Sequence, residues 1–175
     1  QMNLCYYLFE VIKVQNDSLS IFVLHLEEML TIYKTYDKLA LYLGISTDTL
    51  KSWILKTRSP KLSNLDAIAN RLGCYSCDLI DPHPIKNYGK YDNDARNCFV
   101  KNIKIIFTEN ACYNLIQRLN LLNNIITDHM LISYLRNSNY RTPNLKILDN
   151  IANQLSMKTF ELIKEDEYEE NNFTS

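Results

Sequence analysis

A sixteen-residue segment occurs twice in this chain. Leu65-Asp-Ala-Ile-Ala-Asn-Arg-Leu-Gly-Cys-Tyr-Ser-Cys-Asp-Leu-Ile80 and Leu148-Asp-Asn-Ile-Ala-Asn-Gln-Leu-Ser-Met-Lys-Thr-Phe-Glu-Leu-Ile163 agree at eight of sixteen positions without a gap. The same offset of 83 aligns Arg58-Ser-Pro-Lys-Leu62 with Arg141-Thr-Pro-Asn-Leu145. Self-similarity of this kind marks one supersecondary unit used twice. The chain is therefore expected to carry its own pseudo-twofold partner.

With 175 residues there is room for one large or two small domains. Three glycines and four prolines are few, which favours helices with short connections over a turn-rich all-β fold. No apolar run approaches the ~18 residues of a membrane span, and no signal-peptide pattern opens the sequence. A cytoplasmic protein with no membrane partner is expected.

Charge is unevenly spread. Residues 34–62 hold Lys34, Lys38, Lys51, Lys56, Arg58 and Lys61 against Asp37 and Asp48. Residues 161–170 hold six carboxylates against Lys164. A basic patch and an acidic tail cancel in the net charge of −1, and the patch is what a phosphate backbone would feel.

Apolar spacing and turn residues place the elements. In the first copy, Ser18 is placed to cap a helix over Leu19–Lys34 with Leu19, Phe22, Val23, Leu26, Met29, Leu30 and Tyr33 on one stripe. A second helix over Asp37–Leu43 stops at Gly44, and Ser46 caps a third over Thr47–Leu55. A fourth opens at Ser63 or Asn64 and ends at Gly73; a short fifth covers Ser76–Ile80. The second copy reads as helices at 110–118, 119–124, 128–136, 145–155 and 159–165, with Tyr134 standing where Trp53 does if the local offset is 81. The stretches Cys5–Val14 and Cys98–Phe107 precede the first helix of each copy. Their β-branched and aromatic content suits short strands, while Leu4, Leu8, Val11 and Ile12 in the first fit an amphipathic helix equally well. The expected organisation is an arm and first domain over 1–82, a linker over 83–97, an arm and second domain over 98–165, and an acidic tail over 166–175.

The run Tyr36-Asp-Lys-Leu-Ala-Leu-Tyr-Leu-Gly-Ile-Ser-Thr-Asp-Thr-Leu-Lys-Ser-Trp53 resembles the helix-turn-helix of lambda-repressor and Cro-like regulators. Leu39 and Ala40 in the second helix, Gly44 in the turn, Ser46 at the cap, and Leu50 and Trp53 in the third helix carry the likeness, which covers about residues 19–80. It implies a mainly α chain of two tandem five-helix domains of that kind. It also implies that the third helix lies in the major groove of duplex DNA. Thr47, Asp48, Thr49 and Ser52 would face bases, and Tyr36, Lys51, Lys56 and Arg58 would meet phosphates. The chain departs from the family after the Trp, where Ile54-Leu-Lys56 replaces a common Glu-x-Gly, and Asp48 brings a carboxylate close to phosphates. In the second copy Ile125 or Ile126 replaces the turn glycine. Its DNA-facing candidates are His129, Ser133, Arg136 and Arg141, beside Asp128, Met130 and Lys146.

Other motifs read blandly. Cys74-Tyr-Ser-Cys77 looks like a zinc or redox pair, but its repeat partners are Met157 and Phe160, so both cysteines are expected in the core. His25 reads as structural and His83 as exposed loop. No phosphate-binding glycine loop, metal-ligand pair or nucleophile–base spacing is present, so no catalytic role, cofactor or metal is expected. The expected function is a sequence-specific DNA-binding regulator acting as a repressor, as a homodimer or an intramolecular pseudo-dimer. The alternative is a helix-turn-helix scaffold that binds protein: a dimerisation module, an antitoxin or a phage anti-defence inhibitor.

Overall fold

The computed structural model describes residues 17–89, 92–109, 130, 133–134 and 142–165. In chain order these residues form α1 (Ser18–Tyr33), α2 (Tyr36–Leu43), α3 (Thr47–Ile54), α4 (Leu62–Leu72) and a 3-10 turn over Ser76–Ile80. They continue with α5 (Ala95–Glu109), α6 (Leu145–Gln154) and a second 3-10 turn over Thr159–Leu162. The fold of the described residues is mainly α. Their extended pairing is confined to an isolated antiparallel bridge between Lys61 and Asn144. No helix among them is long and apolar enough to cross a membrane.

Helix ends follow local chemistry. Asp17 rather than Ser18 caps α1: its carboxylate accepts the Ser20 N–H at 3.0 Å, and Ser18 becomes the first helical residue. Gly44 and Gly73 close α2 and α4, each in the left-handed region at φ 68°. α6 opens on Asn144, whose side chain accepts the Ile147 N–H at 3.1 Å.

Two further expectations are corrected. The arm over 98–107 is not a strand but the middle of α5, and the linker expected over 83–97 gives way to helix at Ala95. Ala95, Phe99 and Ile103 are buried at helical spacing, and the Asp94 carboxylate accepts the Asn97 N–H at 2.9 Å to start the helix. Helical periodicity and a cap outweigh strand propensity here. α5 is thus the counterpart of α1 at an offset of 77, pairing Phe99 with Phe22 and Ile103 with Leu26. The arm at 5–14 and the helices expected at 110–118 and 119–124 lie outside the described residues.

The two copies share one core. Phe22 and Leu26 of α1, Leu39 and Leu43 of α2, Leu50 and Trp53 of α3, and Leu65 and Ile68 of α4 belong to the same buried cluster as Phe99, Ile103, Leu148 and Ile151. Full burial of each such side chain is worth about 1.5–3 kcal/mol, so the shared interior ties the copies strongly. α1 packs on the 3-10 turn of its own copy and on α6 of the other; α5 packs on α4 of the other copy and on its own 3-10 turn.

Two carboxylates join these crossings, that of Asp149 buried and that of Asp66 partly buried. Asp149 of α6 accepts the Ser18 N–H at 3.2 Å and the Thr159 hydroxyl at 2.7 Å. Asp66 of α4 accepts the Ala95 N–H at 3.1 Å and the Ser76 hydroxyl at 2.6 Å. Each copy therefore caps the first helix of the other.

Candidate nucleic-acid interface

α2 and α3 are joined by Gly44–Ser46, and the geometry of that turn follows from its residues. Thr35 caps α2 by accepting the Lys38 N–H at 3.3 Å. At the far end the Ile45 N–H reaches back to the Ala40 carbonyl at 3.0 Å, which the positive φ of Gly44 permits. The Arg71 guanidinium from α4 lies over the same glycine and donates to the Tyr42 carbonyl at 3.3 Å. A Cβ on Gly44 would stand 2.2 Å from the Arg71 Cζ, so the flexible Arg71 side chain would have to shift, while the positive φ is what calls for glycine.

Ser46 then starts α3, its hydroxyl accepting the Thr49 N–H at 3.1 Å. Leu50 and Trp53 point into the core, where Trp53 meets Phe22 edge to face at 5.7 Å between ring centroids. Two anchors at i and i+3 leave the opposite face of α3 outward.

That outward face brings some of the expected contact residues together and employs others internally. The Lys51 ammonium sits over the Tyr36 ring at 5.8 Å from its centroid, so these two phosphate candidates share one patch across α2 and α3. Arg58 is exposed in the loop that follows α3, with Lys34, Lys38 and Lys61 also exposed. Lys56 adopts φ 54° and donates to the Ser20 hydroxyl, which places it beside the start of α1.

Among the base-facing candidates, Asp48 is exposed. The Thr47 hydroxyl donates to Asp37 Oδ1 at 2.7 Å, locking the first turn of α3 onto that of α2. Thr49 Oγ1 and Ser46 Oγ are 2.8 Å apart, and the Ser52 hydroxyl donates to the Thr49 carbonyl at 2.8 Å. A hydroxyl that donates inward keeps acceptor lone pairs for an outside donor.

In the second copy, the Ser133 hydroxyl donates to the Met130 carbonyl at 2.7 Å, the counterpart of Ser52 and Thr49 at an offset of 81. Tyr134 is buried as Trp53 is. His129, Arg136 and Arg141 lie outside the described residues, and Lys146 is exposed on the first turn of α6.

The remaining candidates fall where core chemistry puts them. Cys74 and Cys77 are buried free thiols, each pushed up to about 12 by burial, so neither is a thiolate at neutral pH. No group of metal-ligating residues assembles among the described residues. His25 is buried, its Nε2 2.9 Å from the Asp81 carbonyl oxygen, and His83 is exposed beside Asp81. A hollow of about 210 Å³ near the start of α5 is lined by Cys77, Asp92, Asp94, Cys98 and Glu165, a surrounding that repels a polyanion.

Asp37 and Arg71 escape a reading based on spacing alone. Asp37 lies ten residues before its partner Thr47, and Arg71 reaches Gly44 from a different helix. The chain matches no protein-family model, no curated protein and no solved structure.

Proposed function

We propose that this chain is a lambda-repressor-like regulator that binds duplex DNA sequence-specifically, laying α3 in the major groove. The observation that carries the reading is the α2–turn–α3 unit itself. Leu39, Ala40, Leu43, Leu50 and Trp53 are buried in it, while Lys51 over Tyr36 and the exposed Arg58 flank the outward face. Thr47, Asp48, Thr49 and Ser52 would read base edges, and Tyr36, Lys51 and Arg58 would hold phosphates. Lys56 would add charge once released from Ser20. Occupancy of a promoter by such a protein represses by exclusion.

A second reading draws on a separate observation. Ile32, Leu41 and Leu55 are 73%, 81% and 71% exposed, three large apolar side chains that a protein partner would cover. On that reading the fold serves as a scaffold for dimerisation or inhibition.

Selection from a random duplex library, followed by titration of the winner across salt, separates the two. A reproducible motif whose affinity falls steeply with salt supports the DNA-binding regulator. Passage through heparin without retention, with no enriched sequence, supports the scaffold.

A further inference from the structure

We infer that the outward face of α3 is built to accept hydrogen bonds, and so selects base pairs by the exocyclic amines of cytosine or adenine in the major groove. The inference deepens the DNA-binding reading above and rests on it for the ligand. The polarity of the hydrogen bonds comes from the protein alone.

A hydroxyl carries one proton and two lone pairs, so spending the proton inside the protein leaves only an acceptor outside. Thr47 spends its proton on Asp37 Oδ1 at 2.7 Å, and a carboxylate offers no hydrogen in return. Ser52 spends its own on the Thr49 carbonyl at 2.8 Å. Asp48, exposed on the first turn of α3, carries a carboxylate that only accepts. Thr49 stands apart from this set, because it shares a proton with Ser46 and either oxygen can be the donor. The Lys51 ammonium does donate, but it is drawn over the Tyr36 ring of α2 and, on the reading above, to the phosphates.

The major groove offers few partners to such a face. Guanine N7 and O6, adenine N7 and thymine O4 all accept, whereas the donors are the amines of cytosine and adenine. A lone pair set against a base acceptor leaves both groups desolvated and unpartnered. Acceptors at Thr47, Asp48 and Ser52 therefore favour amine-bearing edges, and the charge of Asp48 makes its bond the strongest. Asp37 is a positioning residue: by holding the Thr47 proton it fixes the polarity of the hydroxyl that faces the base.

Methylating those amines should block binding. In a paired base the remaining amine proton stays in the Watson–Crick bond and the methyl group stands in the groove, so the outward donor is lost.

The test uses the full chain on the duplex enriched from the random library. N4-methylcytosine or N6-methyladenine is placed at one position at a time; at the same base pairs the purine is replaced by its 7-deaza analogue, which lacks the N7 acceptor. At one or more base pairs the methyl group should lower affinity at least about tenfold, and loss of N7 there should change it less than about twofold. Asp48→Ala and Thr47→Val should each bring the ratio of unmodified to methylated affinity towards one at the base pair it reads. Asp37→Ala should reduce the penalty for setting an oxygen where the Thr47 amine was, thymine for cytosine or guanine for adenine, because the released hydroxyl can donate. A purely structural role for Asp37 would weaken both duplexes equally and overturn its positioning role.

Tolerance of methylated amines at every position overturns the inference and leaves the DNA reading standing. So does a loss on removing N7 as large as that on methylation, or full methyl sensitivity in both Asp48→Ala and Thr47→Val. Failure to enrich any motif overturns the DNA reading, and the inference with it.

Discussion

Asp149 accepts the backbone N–H of Ser18 at 3.2 Å across 131 residues of sequence, so the first helix of one copy starts on a carboxylate of the other. The mirrored bond from Ala95 to Asp66 makes the arrangement reciprocal. Buried N–H donors at a helix start need an acceptor, and here the acceptor is long-range.

Replacing either carboxylate should loosen both copies. Asp149→Ala leaves the Ser18 amide and the Thr159 hydroxyl without their acceptor, a loss of about 1–3 kcal/mol. Asp66→Ala does the same to Ala95 and Ser76. Denaturant titration followed by circular dichroism reads the loss. An unchanged midpoint in both variants would show that the crossed caps do not stabilise the fold.

Stability should also depend on pH in a defined sense. Burial pushes the carboxyls of Asp66, Asp78 and Asp149 above the ordinary aspartate value, against hydroxyl or amide donors that favour ionisation. Each ionises near about 3.9 when unfolded and higher when folded. Their contribution is therefore fully present below about 3.9 and is lost as pH rises through the raised values. Asp17 opposes this trend, since the Ser20 hydroxyl lowers its pKa and its contribution fades as pH falls. The double variant Asp66→Asn with Asp149→Asn should show a flatter change in unfolding free energy as pH rises from about 3.9. Parallel slopes for variant and parent would assign the pH dependence to other groups.

Gly44 offers a test of the turn. Gly44→Ala forces a side chain into the left-handed region and against Arg71, and should cost about 1–2 kcal/mol. Arg71→Ala removes the collision but leaves the backbone strain. In that background Gly44→Ala should therefore cost less, and a double-mutant cycle measures the difference. Additive losses would mean that Arg71 gives way at no cost.

Contacts to DNA separate by their response to salt. Lys51→Ala with Arg58→Ala should weaken binding to every sequence and lower the slope of log affinity on log salt by about two. Thr47→Ala with Thr49→Ala should instead change which sequences are preferred. A library selection on the threonine pair that returned the parental motif would exclude them as readers.

The legible part of the molecule is the part governed by local chemistry. Gly44, Ser46 and Gly73 announce helix ends without reference to anything distant, and they bound α2, α3 and α4 to within a residue or two. Leu50 and Trp53 at i and i+3 fix which face of α3 is buried, and the exposure of the candidates Asp48 and Lys51 follows from that. Cys98–Phe107 misleads because its β-branched residues satisfy strand preference, while the Asp94 cap and the spacing of Ala95, Phe99 and Ile103 favour helix. The crossed caps are illegible for a different reason. Asp66 and Asp149 stand out in the repeat as identical residues, yet nothing local names partners 29 and 131 residues away. Nor does spacing disclose that Thr47 is spoken for by Asp37 or that Lys56 leans on Ser20.

The bridge between Lys61 and Asn144 joins equivalent positions of the sequence repeat, 83 residues apart. In a dimer of identical chains, whatever stands on the axis must face itself, and Lys61 would confront a second Lys61. Here it faces Asn144. Carrying both positions on one chain frees them to differ: either residue can change while its counterpart stays, and a pairing forbidden between identical chains becomes an ordinary contact.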